Sequence, residues 1–191
     1  MNLIGNTCVA SYITRDHLKQ TFINPFVWNI IDFESCFNLV KYWDVLNFEN
    51  YELVKDKNWN FSIIIDGKVK VQYVHYIFSA KYDKITINNN DVYFNRIWEY
   101  IIEKYEKRIK NIRKEKPIFI FATANYGLSR HKPFTIDEQK KLEELESPYK
   151  IILSFKDMID SNRLICIKQN KVFRDNGPVF SKYIYENMNL G

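Results

Sequence analysis

Glycine and proline are scarce, with five of each in 191 residues. That excludes collagen-like and Pro/Gly-rich disordered architectures. Cysteine is scarce too. Cys8, Cys36 and Cys166 are odd in number, irregular in spacing and without a C-x-x-C pair, so neither a disulfide framework nor a zinc knuckle is expected. There is no H-E-x-x-H and no calcium-loop spacing, so no metal is expected. Neither a Walker sequence nor G-x-G-x-x-G occurs, and no cofactor is expected. No run approaches the roughly 18 apolar residues of a membrane span. The residues after Met1 lack a basic n-region and a continuous apolar h-region. The expectation is a cytoplasmic protein with free thiols and no membrane insertion.

What is present is core-forming material. Hydrophobic residues make up 46% of the chain and aromatic residues 16%, enough for a sizeable core. The 28 basic residues exceed the 23 acidic ones and leave a net charge of +5. That mild excess favours an anionic partner only weakly and falls short of a nucleic-acid footprint, so no nucleic-acid partner is expected.

The pattern along the chain predicts alternating elements. Leu3-Ile4 reads as a short strand, Gly5-Asn6-Thr7 as a tight turn, and Val9 to Thr14 as a helix. Asn24 to Trp28 reads as an extended loop, since Pro25 pushes its predecessor out of helical geometry. Asp32 is an expected N-cap for a helix carrying Phe33, Phe37, Val40 and Trp43. Tyr51 to Val54 reads as a strand. Phe61 to Ile65 and Lys68 to Ile77 flank Asp66-Gly67, a strong two-residue hairpin signal. A long helix is expected from Val92 to Lys114, and a buried strand from Ile118 to Ala122. Thr135-Ile136-Asp137-Glu138 is a capping box opening a helix to Leu145. Strands at Tyr149 to Phe155 and Arg163 to Ile167 and a helix from Val179 to Met188 complete the chain. This alternation predicts a single α/β domain over residues 1–191. It should hold a mixed, mostly parallel sheet flanked by helices, with one Asp-Gly β-hairpin.

Few residues stand out chemically. Cys8 lies where a strand hands over to a helix, a position at which the helix dipole favours thiolate. His75 sits on the apolar face of its strand with Val71 and Tyr73. A thiol with a base nearby suits nucleophilic catalysis. Asp83, Asp66 or Asn125 could orient the imidazole, and Asn125 follows a core strand, where open α/β sheets bind ligands. Ser129 to Pro133 is a basic loop, and its Arg130 and His131 suit a phosphate or sugar-phosphate. Each residue also has a plain structural role. A buried Cys is a small hydrophobe, a strand His can be core, Asn125 with Gly127 makes a turn, and loop charges are solvated. His17 reads as a surface residue.

Several segments together carry a resemblance. They are Asn6-Thr7-Cys8, Asn24 to Trp28, Val74-His75-Tyr76, the helix with Trp98 and Arg108-Ile109, and Pro117 to Ile120. Over Leu3 to Phe155 the chain resembles a bacterial family labelled exopolysaccharide biosynthesis proteins. It is also similar to a neighbouring family labelled papain-like cysteine peptidases, with its G-x-x-C start, P-F-D-W segment and later histidine. Val27 replaces the acidic residue of P-F-D-W, and no glutamine precedes Cys8 to form the papain-like oxyanion hole. Asn6 or a backbone N–H would have to substitute.

The resemblance implies a surface polysaccharide synthesis or modification pathway. The first expectation is a thiol-dependent hydrolase or acyl transferase there, with Cys8 as nucleophile, His75 as base, Asn125 or Asp83 as orienting group and Asn6 in the oxyanion hole. The second is a non-catalytic module that binds a glycan, a sugar-phosphate or another pathway protein through Trp28, Tyr126, Arg130 and His131. The third is a metal-independent glycosyl transferase, since no D-x-D triplet is present.

Overall fold

Strand β6 (Pro117–Ala122) sets the architecture because all six of its residues are buried. A strand buried on both faces belongs in the middle of a parallel sheet covered by helices. The computed structural model describes residues 2–20, 24–26, 29–55, 61–73, 90–112, 115–124, 132–173 and 177–188. In it β6 lies between β1 (Asn2–Gly5) and β7 (Lys150–Ser154), and β7 in turn pairs with β8 (Ile165–Cys166). All three pairings are parallel, with Gly5 opposite Ile120 and Ala122 opposite Ser154.

Side-chain alternation divides this sheet between two cores. Leu3, Ile118, Ile120, Ala122 and Ile152 pack in one cluster with Val9, Ala10 and Ile13 and with Phe180 and Ile184. These come from α1 (Val9–Tyr12) and its continuation, and from α5 (Pro178–Asn187). Ile4, Phe119, Phe121, Ile151 and Leu153 belong to the other cluster. There they meet Leu142 of α4 (Ile136–Glu144), Leu39 of α2 (Phe33–Lys41) and Ile101 of α3 (Asn90–Ile109).

The second core also contains a second sheet. Strands β2 (Asn29–Ile31), β5 (Val69–Tyr73), β4 (Phe61–Ile65) and β3 (Tyr51–Lys55) pair antiparallel in that order. The Asp-Gly hairpin forms as expected. Asp66 at φ 52° and Gly67 at φ 65° supply the two left-handed residues its turn requires, and Lys68 N–H closes on the Ile65 carbonyl at 2.9 Å. Cross-strand pairs Phe61–Tyr73, Ile63–Val71 and Ile65–Val69 bury one face of the hairpin. Instead of joining the parallel strands in one mixed sheet, the hairpin therefore builds a sheet of its own. The segment after α2 is seated on the parallel sheet: Trp43, two residues past the helix, packs edge-on to Phe119 of β6 with centroids 5.6 Å apart.

Other expectations shift at the edges. The helix expected over Val9 to Thr14 is α-helical only to Tyr12 and widens into a π-helical turn over Ile13–His17. Thr14 Oγ1 donates to the Ala10 carbonyl at 2.7 Å, and Leu18 N–H reaches back five residues to Ile13. A hydroxyl bonded to the i−4 carbonyl is a known local perturbation of helical hydrogen bonding. Trp43 falls two residues past the end of α2 and is fully buried. His17, read as a surface residue, is half-buried and stacks on Tyr185 at 4.6 Å.

Candidate functional site

The turn after β1 is built by side chains that extend the sheet beyond its backbone ladder. Asn6 Oδ1 accepts the Ala122 N–H at 2.9 Å, and Thr7 Oγ1 donates to the Ala122 carbonyl at 3.2 Å. The Asn6 carbonyl accepts Ile31 N–H at 3.2 Å, which joins the end of the parallel sheet to β2 of the antiparallel one. With Oδ1 held, the amide flip of Asn6 is fixed. Its Nδ2 makes no hydrogen bond among the described residues.

A pocket of about 330 Å³ opens at this junction. Asn6 contributes from the carboxyl end of β1, Ile30 and Ile31 from β2, and Gln72 from β5. Asp32 and Phe33 come from the start of α2, and Lys132, Pro133, Phe134 and Glu138 from the entry to α4. Helix α2 is seated over β5: Ser35 Oγ accepts Lys70 N–H at 2.9 Å, and Asn38 Nδ2 donates to the Lys68 carbonyl at 3.0 Å. Phe33 and Phe134 meet edge-to-face at 5.1 Å and join the two helix starts. Gln139 fixes the second of these, donating to the carbonyls of Phe134 at 3.0 Å and Asp157 at 2.9 Å.

Both helix starts are capped by the chain's own side chains. Asp32 Oδ1 accepts Ser35 N–H at 2.8 Å. The expected capping box is complete: Glu138 N–H donates to Thr135 Oγ1 at 3.2 Å, and Glu138 Oε2 accepts Thr135 N–H at 2.7 Å.

Cys8 takes the N-cap position of α1 and is half-buried. The thiolate expectation is corrected here. Burial pushes the thiol up to about 11 from an ordinary 9.0, against a smaller downward pull from a backbone hydrogen bond. A four-residue α-helical segment offers little dipole to offset that desolvation. Asn6 lines the pocket, whereas Cys8, two residues on, is not among the lining residues. Of the other expected site residues, His75, Asp83, Asn125, Trp28, Tyr126, Arg130 and His131 lie outside the described residues. No group of three or more His, Cys, Asp or Glu suited to a metal ion occurs among the described residues. No helix among them is long and apolar enough to cross a membrane.

Sequence reasoning missed the pocket's main polar and apolar walls: Asp32, Phe33, Gln72, Phe134 and Glu138. Asp32 and Glu138 were legible as caps, but nothing in their spacing brings α2 and α4 together. It also missed Gln169, whose Nε2 donates to the carbonyls of Thr123 at 2.8 Å and Ser154 at 2.9 Å and so closes the carboxyl ends of β6 and β7. Among the described residues, Thr123 Oγ1 and Gln169 Oε1 are buried without a hydrogen-bond partner. No protein-family model matches this sequence, and no curated protein matches it significantly.

Proposed function

We propose that this chain is a cytoplasmic glycan-binding α/β protein of a surface polysaccharide synthesis or modification pathway, and that its saccharide occupies the pocket at the sheet junction. The lining of that pocket carries the reading. Ile31, Phe33 and Phe134 give an apolar wall, while Asn6, Asp32, Gln72, Lys132 and Glu138 bring hydrogen-bonding groups of every type. A sugar ring has an apolar face and a rim of hydroxyls that both donate and accept, and such a mixed concavity suits it. The position, just outside the carboxyl end of the parallel strand β1, is of the kind at which α/β sheets bind ligands. The polysaccharide setting rests on the resemblance of the segments around Cys8, Pro25, His75 and Ile118.

Titration with hexoses, N-acetylhexosamines and short oligosaccharides, followed by calorimetry and amide chemical shifts, tests this. Saturable binding that Phe33→Ala and Gln72→Ala each weaken is the expected result. If no saccharide in the series perturbs Asn6, Gln72 or Phe33, the reading falls.

A thiol hydrolase or acyl transferase is the second reading. The fixed amide of Asn6, with Nδ2 left to stabilise an oxyanion two residues from Cys8, is the observation in its favour. The burial that pushes the Cys8 thiol up weighs against it and calls for a base, for which His75 is the candidate. Loss of a thioester- or ester-cleaving activity in Cys8→Ser would put this reading first.

A further inference from the structure

We infer that the pocket is gated against anions by Asp32 and Glu138, so that its ligand is an uncharged saccharide and not a sugar phosphate or nucleotide sugar. The inference deepens the glycan reading above and rests on it for the ligand class. The gate itself follows from the two helix starts.

Two nine-residue helices, α2 and α4, begin at the pocket. Helix starts with open N–H groups attract phosphate. Here the protein fills them itself: Asp32 Oδ1 accepts Ser35 N–H, and Glu138 Oε2 accepts both Thr135 N–H and Thr135 Oγ1–H. The carboxylates that plug these starts are pocket-lining residues, so an incoming phosphate meets negative charge where it would otherwise find donors. Among the described lining residues Lys132 is the one cation, set against the two carboxylates of Asp32 and Glu138.

The same groups accept a neutral ligand. Carboxylates are acceptors only, so they pair with sugar hydroxyls, which donate, and not with a phosphate dianion, which has nothing to donate. Asn6 is 3% exposed, and its Nδ2 is without a partner among the described residues, which supplies a complementary donor from the pocket lining. Like charges juxtaposed on binding are a strong discriminator even where attraction is modest.

Two isosteric substitutions remove the charge and keep the caps. Asparagine caps a helix as well as aspartate does, and glutamine serves the third position of a capping box. Calorimetry would compare glucose, glucose 1-phosphate and inorganic phosphate on wild type, Asp32→Asn, Glu138→Gln and the double variant, each checked for folding by thermal melting. Wild type should prefer glucose to glucose 1-phosphate. The double variant should bind inorganic phosphate at least about tenfold more tightly than wild type, each single variant giving part of the gain, and the gain should shrink with salt. Tighter binding of glucose 1-phosphate than glucose by wild type, or no gain for phosphate in any folded variant, overturns the gate. If wild type binds no sugar while the variants gain phosphate, the gate stands and the glycan reading alone falls.

Discussion

Asn6 acts as a piece of backbone for Ala122: its side-chain Oδ1 takes the Ala122 N–H at 2.9 Å, just past the last paired residues of β1 and β6. Ala122 is fully buried, so no water can replace that acceptor. Asn6→Ala should therefore cost about 1–3 kcal/mol, the penalty of a stranded buried donor. Urea unfolding should show a lower midpoint with an unchanged slope. An unchanged midpoint would mean that the turn re-forms without the side chain.

Gly5 is required by close approach and not by its backbone angles. A Cβ there would sit 2.7 Å from the Ala10 Cβ and 3.2 Å from the Ile120 carbonyl oxygen. Gly5→Ala should destabilise by about 1–3 kcal/mol through overpacking. Gly5→Ala with Ala10→Gly should recover part of that loss, even though glycine costs about 1 kcal/mol in a helix. Strict additivity of the two changes would show that the helix-to-strand contact is not the source.

Trp43 sits in the buried cluster that holds residues of both sheets, against Phe119 of β6. It is fully buried between Phe26, Phe48 and Phe119. Trp43→Ala should cost about 3–5 kcal/mol. Native-state hydrogen exchange should accelerate in β5 and β6 together. Acceleration confined to one sheet would show that the sheets open independently.

The Cys8 thiol should alkylate slowly at neutral pH, with a rate still rising beyond pH 9 toward its value of about 11. Site-resolved mass spectrometry of iodoacetamide labelling measures this. A rate that levels off below pH 8 would restore the thiolate. The same shift has a stability consequence. A thiol whose folded value lies above its unfolded 9.0 makes the native state hold its proton longer, so stability falls as pH rises from about 9 to about 11. Cys8→Ala should flatten that part of the alkaline curve.

Local signals carried most of the fold. The Asp66-Gly67 turn, the Asp32 cap and the Thr135 capping box are interactions between residues at most three apart, and each forms as its sequence pattern predicts. The all-apolar run of β6 marked a strand buried on both faces. Strand β2 was not legible. Three residues give no window in which alternation can show, and Asn29–Ile31 is a strand because β5 and the Asn6 carbonyl pair with it. The site was less legible than the fold. Asn6 and Cys8 stood out for their turn, but the burial that pushes the Cys8 thiol up is not encoded in a turn sequence.

The sequence by itself determined the α/β class, the order of the elements and the capped starts of α2 and α4, because these follow from periodicity and from bonds between near neighbours. Tertiary structure alone decided that the hairpin forms a separate sheet, that α2 and α4 begin side by side, and that their capping carboxylates line one pocket with Asn6. Those outcomes depend on which apolar faces cover which. Phe33 against Phe134 brings the starts of α2 and α4 together across 101 residues of chain, and Trp43 against Phe119 seats the end of α2 on β6 across 76, distances over which no local pattern has reach.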